Sequence, residues 1–212
     1  MSATVMRVLV ACEYSGVVRD AFRDLGHDAM SCDILPTERP GPHYQGDALD
    51  LRSEPFDLVI AHPPCTYLSN SGVRWLSADP ARWPLMFDGA EFFAAFWEFN
   101  TPRLAVENPV QHGYARRVHG KGKATQYVQP WMFGHPEQKA AGLWLRGLPK
   151  LQPTNDVRAD MEGLAASQRQ RIWSLPPGPD RWKERSATFP GIAAAMAEQW
   201  GGVDMRREGH QW

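Results

Sequence analysis

The stretch Ala61 to Gly72, AHPPCTYLSNSG, places a cysteine directly after two prolines at the end of a short apolar run. Two prolines fix the local backbone and remove two N–H donors. The Cys65 thiol is therefore held rigidly, and it becomes a nucleophile if nearby N–H groups or a cation lower its pKa. A lone cysteine in a strand reads more simply as a small buried hydrophobe, but the place after Pro63 and Pro64 favours chemistry. A second polar strand end follows in PRLAVEN, which closes on Glu107 and Asn108. Alone, Glu107 reads equally well as a residue capping the next loop. Paired with Cys65, it reads as an acid beside a covalent nucleophile.

These residues need elements to position them. RVLVAC, Arg7 to Cys12, is a β-branched apolar run ended by Glu13, Tyr14, Ser15 and Gly16. VVRDAFRDLG then carries apolar residues at helical spacing up to Gly26. HDAMSCDI reads as a second strand ending in Asp33, and FDLVIAH, after a Pro-rich and Gly-rich loop, as a third that runs into Cys65. Pro80 to Asn100 reads as a well-buried helix with Pro84 in its opening turn. Strands alternating with helices predict a mostly parallel α/β sheet, and in such sheets ligands bind outside the carboxyl ends of the strands. Asp33, Cys65 and Glu107 would then face one crevice.

Further along, Val110 to Thr125 holds Arg116, Arg117, His119, Lys121 and Lys123 with three glycines and no apolar periodicity, so it reads as a mobile basic loop. It would grip phosphates or be a solvated charge run. QYVQPWMFG and GLWLRGLPKL read as strands. Gln152 to Arg185 is polar and weakly patterned, Ile192 to Gly201 is a closing amphipathic helix, and residues 203–212 form a frayed tail.

The 212 residues contain 23 Lys and Arg against 24 Asp and Glu, a net charge of −1, which excludes a protein that coats nucleic acid by bulk charge. The three cysteines are too few for a disulfide framework or a zinc knuckle, and the setting expected from them is reduced and cytoplasmic. Cys12 and Cys32 read as core thiols. His62 and His135 lack partners at metal-ligand spacing and read as structural, so no metal is expected. A P-loop is absent. No signal peptide and no apolar run approaching the roughly 18 residues of a membrane span is found, so a soluble protein is expected.

With Pro63, Pro64 and Cys65 followed by Ser69 and Gly72, the chain resembles the cytosine C5 DNA methyltransferases, as a short form. VENPV is similar to the family's Glu-Asn-Val motif, and ACEYSGVVRDAF stands in the place of its glycine-rich loop. Asp33, Asp47 in GDALD, FGHPEQK and TFPGIAAAMAEQWG match further motifs in order. The resemblance implies one Rossmann-like S-adenosylmethionine-dependent methyltransferase domain over residues 1–202, with helices on both faces of the sheet. It implies Cys65 as the nucleophile toward C6 of cytosine and Glu107 as the partner of N3. It also implies Glu13, Tyr14, Ser15, Gly16, Asp33, Ile34, Asp47 and Pro63 around S-adenosylmethionine, and Ser69, Asn108, Arg116, Arg117, Lys121, Lys123 and Lys139 toward the substrate.

The chain departs from the pattern at several points. The amino-terminal loop keeps only Gly16, and the expected arginines are replaced by Lys139 and Ala141. Gln168, Arg169 and Arg171 would supply those contacts or simply form an exposed helix face. The recognition segment, residues 146–188, is abbreviated, so base readout in the major groove is reduced. Duplex DNA, which demands base extrusion at a few kcal/mol, single-stranded DNA and a free deoxycytidine nucleotide all remain open as substrates. So does a non-catalytic module binding nucleic acid or a partner protein.

Overall fold

In a computed structural model the described residues are 4–179 and 181–202; the tail expected over 203–212 lies outside them. Five parallel strands, β1 (Arg7–Ala11), β2 (Asp28–Asp33), β3 (His43–Gln45), β4 (Leu58–Ala61) and β5 (Leu104–Pro109), join β6 (Gln126–Val128) and β7 (Ala141–Arg146) in one sheet. Its order is β3-β2-β1-β4-β5-β7-β6, with β7 antiparallel to both neighbours. The chain folds as a Rossmann-like α/β sheet, mostly parallel, with helices on both faces.

Alternation along the strands explains the two faces. Val8, Val10, Leu58 and Ile60 pack on one side with Val18 and Phe22 of α1 (Val17–Asp24) and with Ile192, Met196 and Trp200 of α9 (Pro190–Gly201). Leu9, Ala11, Val59 and Val106 pack on the other with Met86, Ala90 and Phe93 of α3 (Arg82–Ala95) and Ala115 of α4 (Gly113–His119). A short helix α2 (Arg74–Ala78) precedes α3.

Three sequence expectations are corrected. The Pro-rich stretch after Asp33 contains β3, an edge strand whose HYQ carries no apolar pattern and is held by pairing to β2. Buried Arg19 fixes the loop between them, donating to Ser31 Oγ, Arg39 O and Pro40 O. The basic stretch is not one mobile loop: α4 forms there because the His112 side chain accepts from Ala115 N–H at its start and Gly120, at φ 69°, ends it. QYVQPWMFG is a strand only over Gln126–Val128, then turns at Pro130. Residues 147–188 carry α5 (Arg158–Gly163), α6 (Ala166–Arg169), α7 (Arg171–Ser174) and α8 (Arg181–Ser186). No helix among the described residues is long and apolar enough to cross a membrane.

Candidate active site

The chain leaves β1 for β2 on one side, while β4 lies on the other, so the crevice opens between the ends of β1 and β4, the switch point of the sheet. Residues after β1 (Cys12 to Ser15), after β4 (His62 to Cys65) and at the end of β5 (Glu107 to Pro109) line a cavity of about 110 Å³. Lys139 joins them because β7 is antiparallel: its start lies beside the end of β5, with Ala141 opposite Pro109. Arg185 and Ser186 reach it from α8. Cys65, Glu107 and Lys139 thus come from distant parts of the sequence to one cavity.

The Cys65 turn is braced from two directions. Its carbonyl accepts the N–H groups of Leu68 and Ser69, both at 3.0 Å. Behind it, buried Asn108 donates to Pro63 O (2.8 Å), Gln111 Nε2 donates to Asn108 Oδ1 (3.2 Å), and His119 Nε2 bonds Gln111 Oε1 (2.8 Å). Lys121 N–H donates to His119 Nδ1, so the ring is neutral and protonated at Nε2. Asn108, expected at the substrate, has both ends of its amide engaged within the protein.

Charge around the thiol is mixed. Burial pushes the Cys65 thiol above its ordinary range and Glu107 adds to this, while Lys139 and Arg185 pull it down. Burial also lowers the Lys139 ammonium, which Glu107 and Cys65 hold up, and Lys139 Nζ donates to Ala187 O at 3.2 Å. His62 Nδ1 stands 3.4 Å from Glu107 Oε2, and its buried Nε2 has no hydrogen-bond partner among the described residues. His62, expected to be merely structural, therefore belongs to the site. Its partner lies far along the chain, and only the step before Pro-Pro could have signalled it. His135 is structural, accepting Gly191 N–H. Arg185 was not singled out, and α8 carries no sequence signal for it. Cys12, expected in the core, packs against it and also lines the cavity, in left-handed backbone at φ 57°. Cys32 is in the core.

The other half of the crevice is acidic. Buried Glu13 accepts Val18 N–H (2.6 Å) and Arg19 N–H (3.2 Å), and Ser15 Oγ accepts Val17 N–H (3.4 Å). The donors of the first turn of α1 are thereby engaged by side chains. This is where dinucleotide folds seat a pyrophosphate, so a phosphorylated ligand finds neither free donors nor favourable charge there. Burial raises the Glu13 carboxyl, opposed by His62 and the two N–H bonds. Gly16 starts α1 at φ 71°, where a Cβ would lie 2.5 Å from the Arg19 guanidinium.

Asp33 at the end of β2 accepts Leu35 N–H through Oδ1, and burial raises its carboxyl. Ile34 beside it is 74% exposed. Asp47 caps a single turn by accepting Leu49 N–H. Burial raises the Cys12 thiol, and Asp33 and Asp47 add to this. Tyr14 is engaged by α8: its hydroxyl bonds Lys183 O and Ser186 Oγ, and its ring meets Trp182 at 5.3 Å.

Arg116, Arg117, Lys121 and Lys123 are not brought to the cavity. They run down α4 and the turn after it, with Lys121 over the Trp97 ring. Ser69 also lies outside the lining, its hydroxyl on Ser71. Arg169 and Arg171 sit on α6 and α7, and Arg171 pairs with Glu137 and Glu184.

No protein-family model matches the chain, and no curated protein matches it. Among solved structures the chain is similar to a prophage-encoded E. coli protein described as a candidate DNA modification methyltransferase, at 15% identity and a TM-score of 0.46. The match covers 75% of this chain and 55% of that one, so the chain spans about half the length of that protein.

Proposed function

We propose that the protein transfers a methyl group from S-adenosylmethionine to C5 of cytosine in DNA, through a covalent bond between Cys65 and C6. The observation that carries this is the convergence of Cys65 and Glu107, from two different strand ends, on one cavity that also holds the Lys139 cation. C5 of cytosine is a poor nucleophile. Addition of the Cys65 thiolate at C6 makes it an enamine-like one and divides a hard step into easier ones.

The arrangement supports the following roles. Glu107 holds or protonates N3 as electrons move into the ring, and His62 against its Oε2 orients the carboxyl for that contact. Lys139 and Arg185 favour the thiolate over the thiol, opposing burial. Once C5 carries the methyl group, its proton passes to solvent, the electrons of the C5–H bond break the C6–S bond to return Cys65 as thiolate, and N3 returns any proton it took to Glu107.

S-adenosylmethionine, when bound, supplies the methyl group. Its fit rests on the acidic half of the crevice. A sulfonium and an ammonium suit the Glu13 carboxylate, and Asp33 keeps an oxygen for ribose hydroxyls, as acidic strand ends do for other nucleotide cofactors. Exposed Ile34 suits a flat ring, and Gly16, Ser15, Pro63 and Asp47 complete the expected contacts.

The test is intact mass spectrometry after incubation with S-adenosylmethionine and DNA carrying 5-fluorocytosine, which blocks the final proton removal. A covalent adduct is expected with the wild type and none with Cys65→Ser, whose turnover should fall by about 10⁴-fold or more. An adduct that survives Cys65→Ser would remove Cys65 from the reaction.

A further inference from the structure

The outer face of α2, α3 and α4 gathers exposed rings with arginines over them, a pattern that recurs on α7 and α8, where Arg185 lies over the exposed Trp173 at 5.4 Å. Trp75 and Tyr114 are 48% and 44% exposed, and Trp83 meets Tyr114 edge-on with centroids 5.1 Å apart. Arg74 lies over Trp75 at 4.7 Å, Arg82 over Tyr67 at 4.7 Å, and Arg117 over Tyr114 at 5.2 Å. Elsewhere Arg7, Arg39, Arg52, Arg158 and Arg171 pair with carboxylates. Among the described residues Arg74, Arg82 and Arg117 pair with none. Arg82 Nε and, beside this face, Arg116 Nε are buried with no hydrogen-bond partner.

We infer that this face binds a single-stranded nucleic acid and leads it to Cys65. A guanidinium over a ring face, with no carboxylate partner, keeps N–H groups that match a phosphate. Rings at the surface between such cations offer stacking to unpaired bases, which a duplex keeps stacked on one another. A partner protein would find the same rings, but three arginines without acidic partners favour a polyanion. The charge is local, since the whole chain carries −1.

The path to the site is short. Tyr67, under Arg82, is two residues from Cys65, and its carbonyl accepts His112 Nε2–H at the start of α4 (2.9 Å). The thiol turn and the aromatic face are thus tied together. The inference deepens the proposed function by choosing its substrate class, and its surface can be tested apart from the chemistry.

Cys65→Ser protein, in which that chemistry is off, is titrated by fluorescence anisotropy with a labelled single strand and with a hairpin duplex of the same composition, over a salt series. The single strand should bind more tightly. Tyr114→Ala and Trp75→Ala, both at exposed positions, should each weaken it roughly tenfold. Arg82→Gln combined with Arg117→Gln should reduce the salt slope by about 1.4, at roughly 0.7 per phosphate contact on a single strand. Equal binding of duplex and single strand with no effect of the ring variants would overturn the inference, as would no binding at low salt. An adduct at Cys65 with unaltered ring variants would leave the proposed function standing without this surface. Ring-dependent binding with no adduct in wild-type protein would do the reverse.

Discussion

The two halves of the crevice are built from the same kind of strand end and differ in what faces what. On the β1–β2–β3 side, Asp33 and Asp47 act on Cys12, burial raises Glu13 and Asp33, and the donors of the α1 terminus are already engaged. On the β4–β5–β7 side an acid, a histidine, a lysine and an arginine surround one thiol. The first arrangement suits holding a cationic, hydroxyl-bearing ligand. The second suits moving charge, because each state of Cys65 has a neighbour of opposite tendency. A parallel sheet alone would have given two similar halves. The antiparallel β7, which returns Lys139 to the β5 end, makes them different.

Substitutions on one side should leave the other intact, and the largest effect after loss of Cys65 itself is expected at Glu107. Glu107→Gln should lower methyl transfer by roughly 10²-fold or more, with cofactor affinity unchanged by calorimetry. A parallel loss of affinity would mean that the two halves are not separable.

Lys139→Met should slow alkylation of Cys65 by iodoacetamide several-fold at a fixed mildly alkaline pH. The raised thiol loses the stronger of the two cations that pull it down. In the wild type the same rate should already be below that of free cysteine and should climb as pH passes the usual thiol range. A rate that exceeds free cysteine near neutrality would contradict the burial argument.

On the acidic side, Asp33→Asn should weaken S-adenosylmethionine binding by roughly five- to tenfold and leave Cys65 alkylation unchanged. A change in alkylation would join what the comparison separates.

The smallest effect is on stability. Burial, with Lys121 and Arg116 nearby, lowers His119 from its ordinary value near 6.5 to about 4. The unfolded chain therefore takes up this proton first as pH falls. Stability contributed by neutral His119 is complete above about 6.5 and is lost between there and about 4. Urea unfolding should show a loss on the order of 2 kcal/mol over that window, flattened in His119→Gln. An unchanged profile in the variant would remove His119 as the cause.

Cys65, Glu107 and Asp33 were legible because each ends an apolar run, and α3 because nearly every turn of it is apolar. His43 to Gln45 was illegible as a strand, since pairing to β2 rather than pattern holds it. The helix α4 escaped notice because its buried side includes only Ala115 and His119, with order supplied by the His112 cap. Lys139 depended on strand direction and Arg185 on the packing of α8 over Tyr14, neither of which local sequence encodes. His62 was discounted for want of metal partners, whereas its partner is a carboxylate on the neighbouring strand.

The Glu13 carboxylate on the first turn of α1 bears on competition inside a cell. A Rossmann-like crevice is surrounded by adenine nucleotides whose base and ribose resemble those of S-adenosylmethionine and which differ chiefly in their phosphates. With its own carboxylate in the anion seat, the chain leaves a phosphate no free donor at the place where such folds usually bind one. For the proposed cofactor, discrimination against phosphorylated look-alikes would then come from the helix cap.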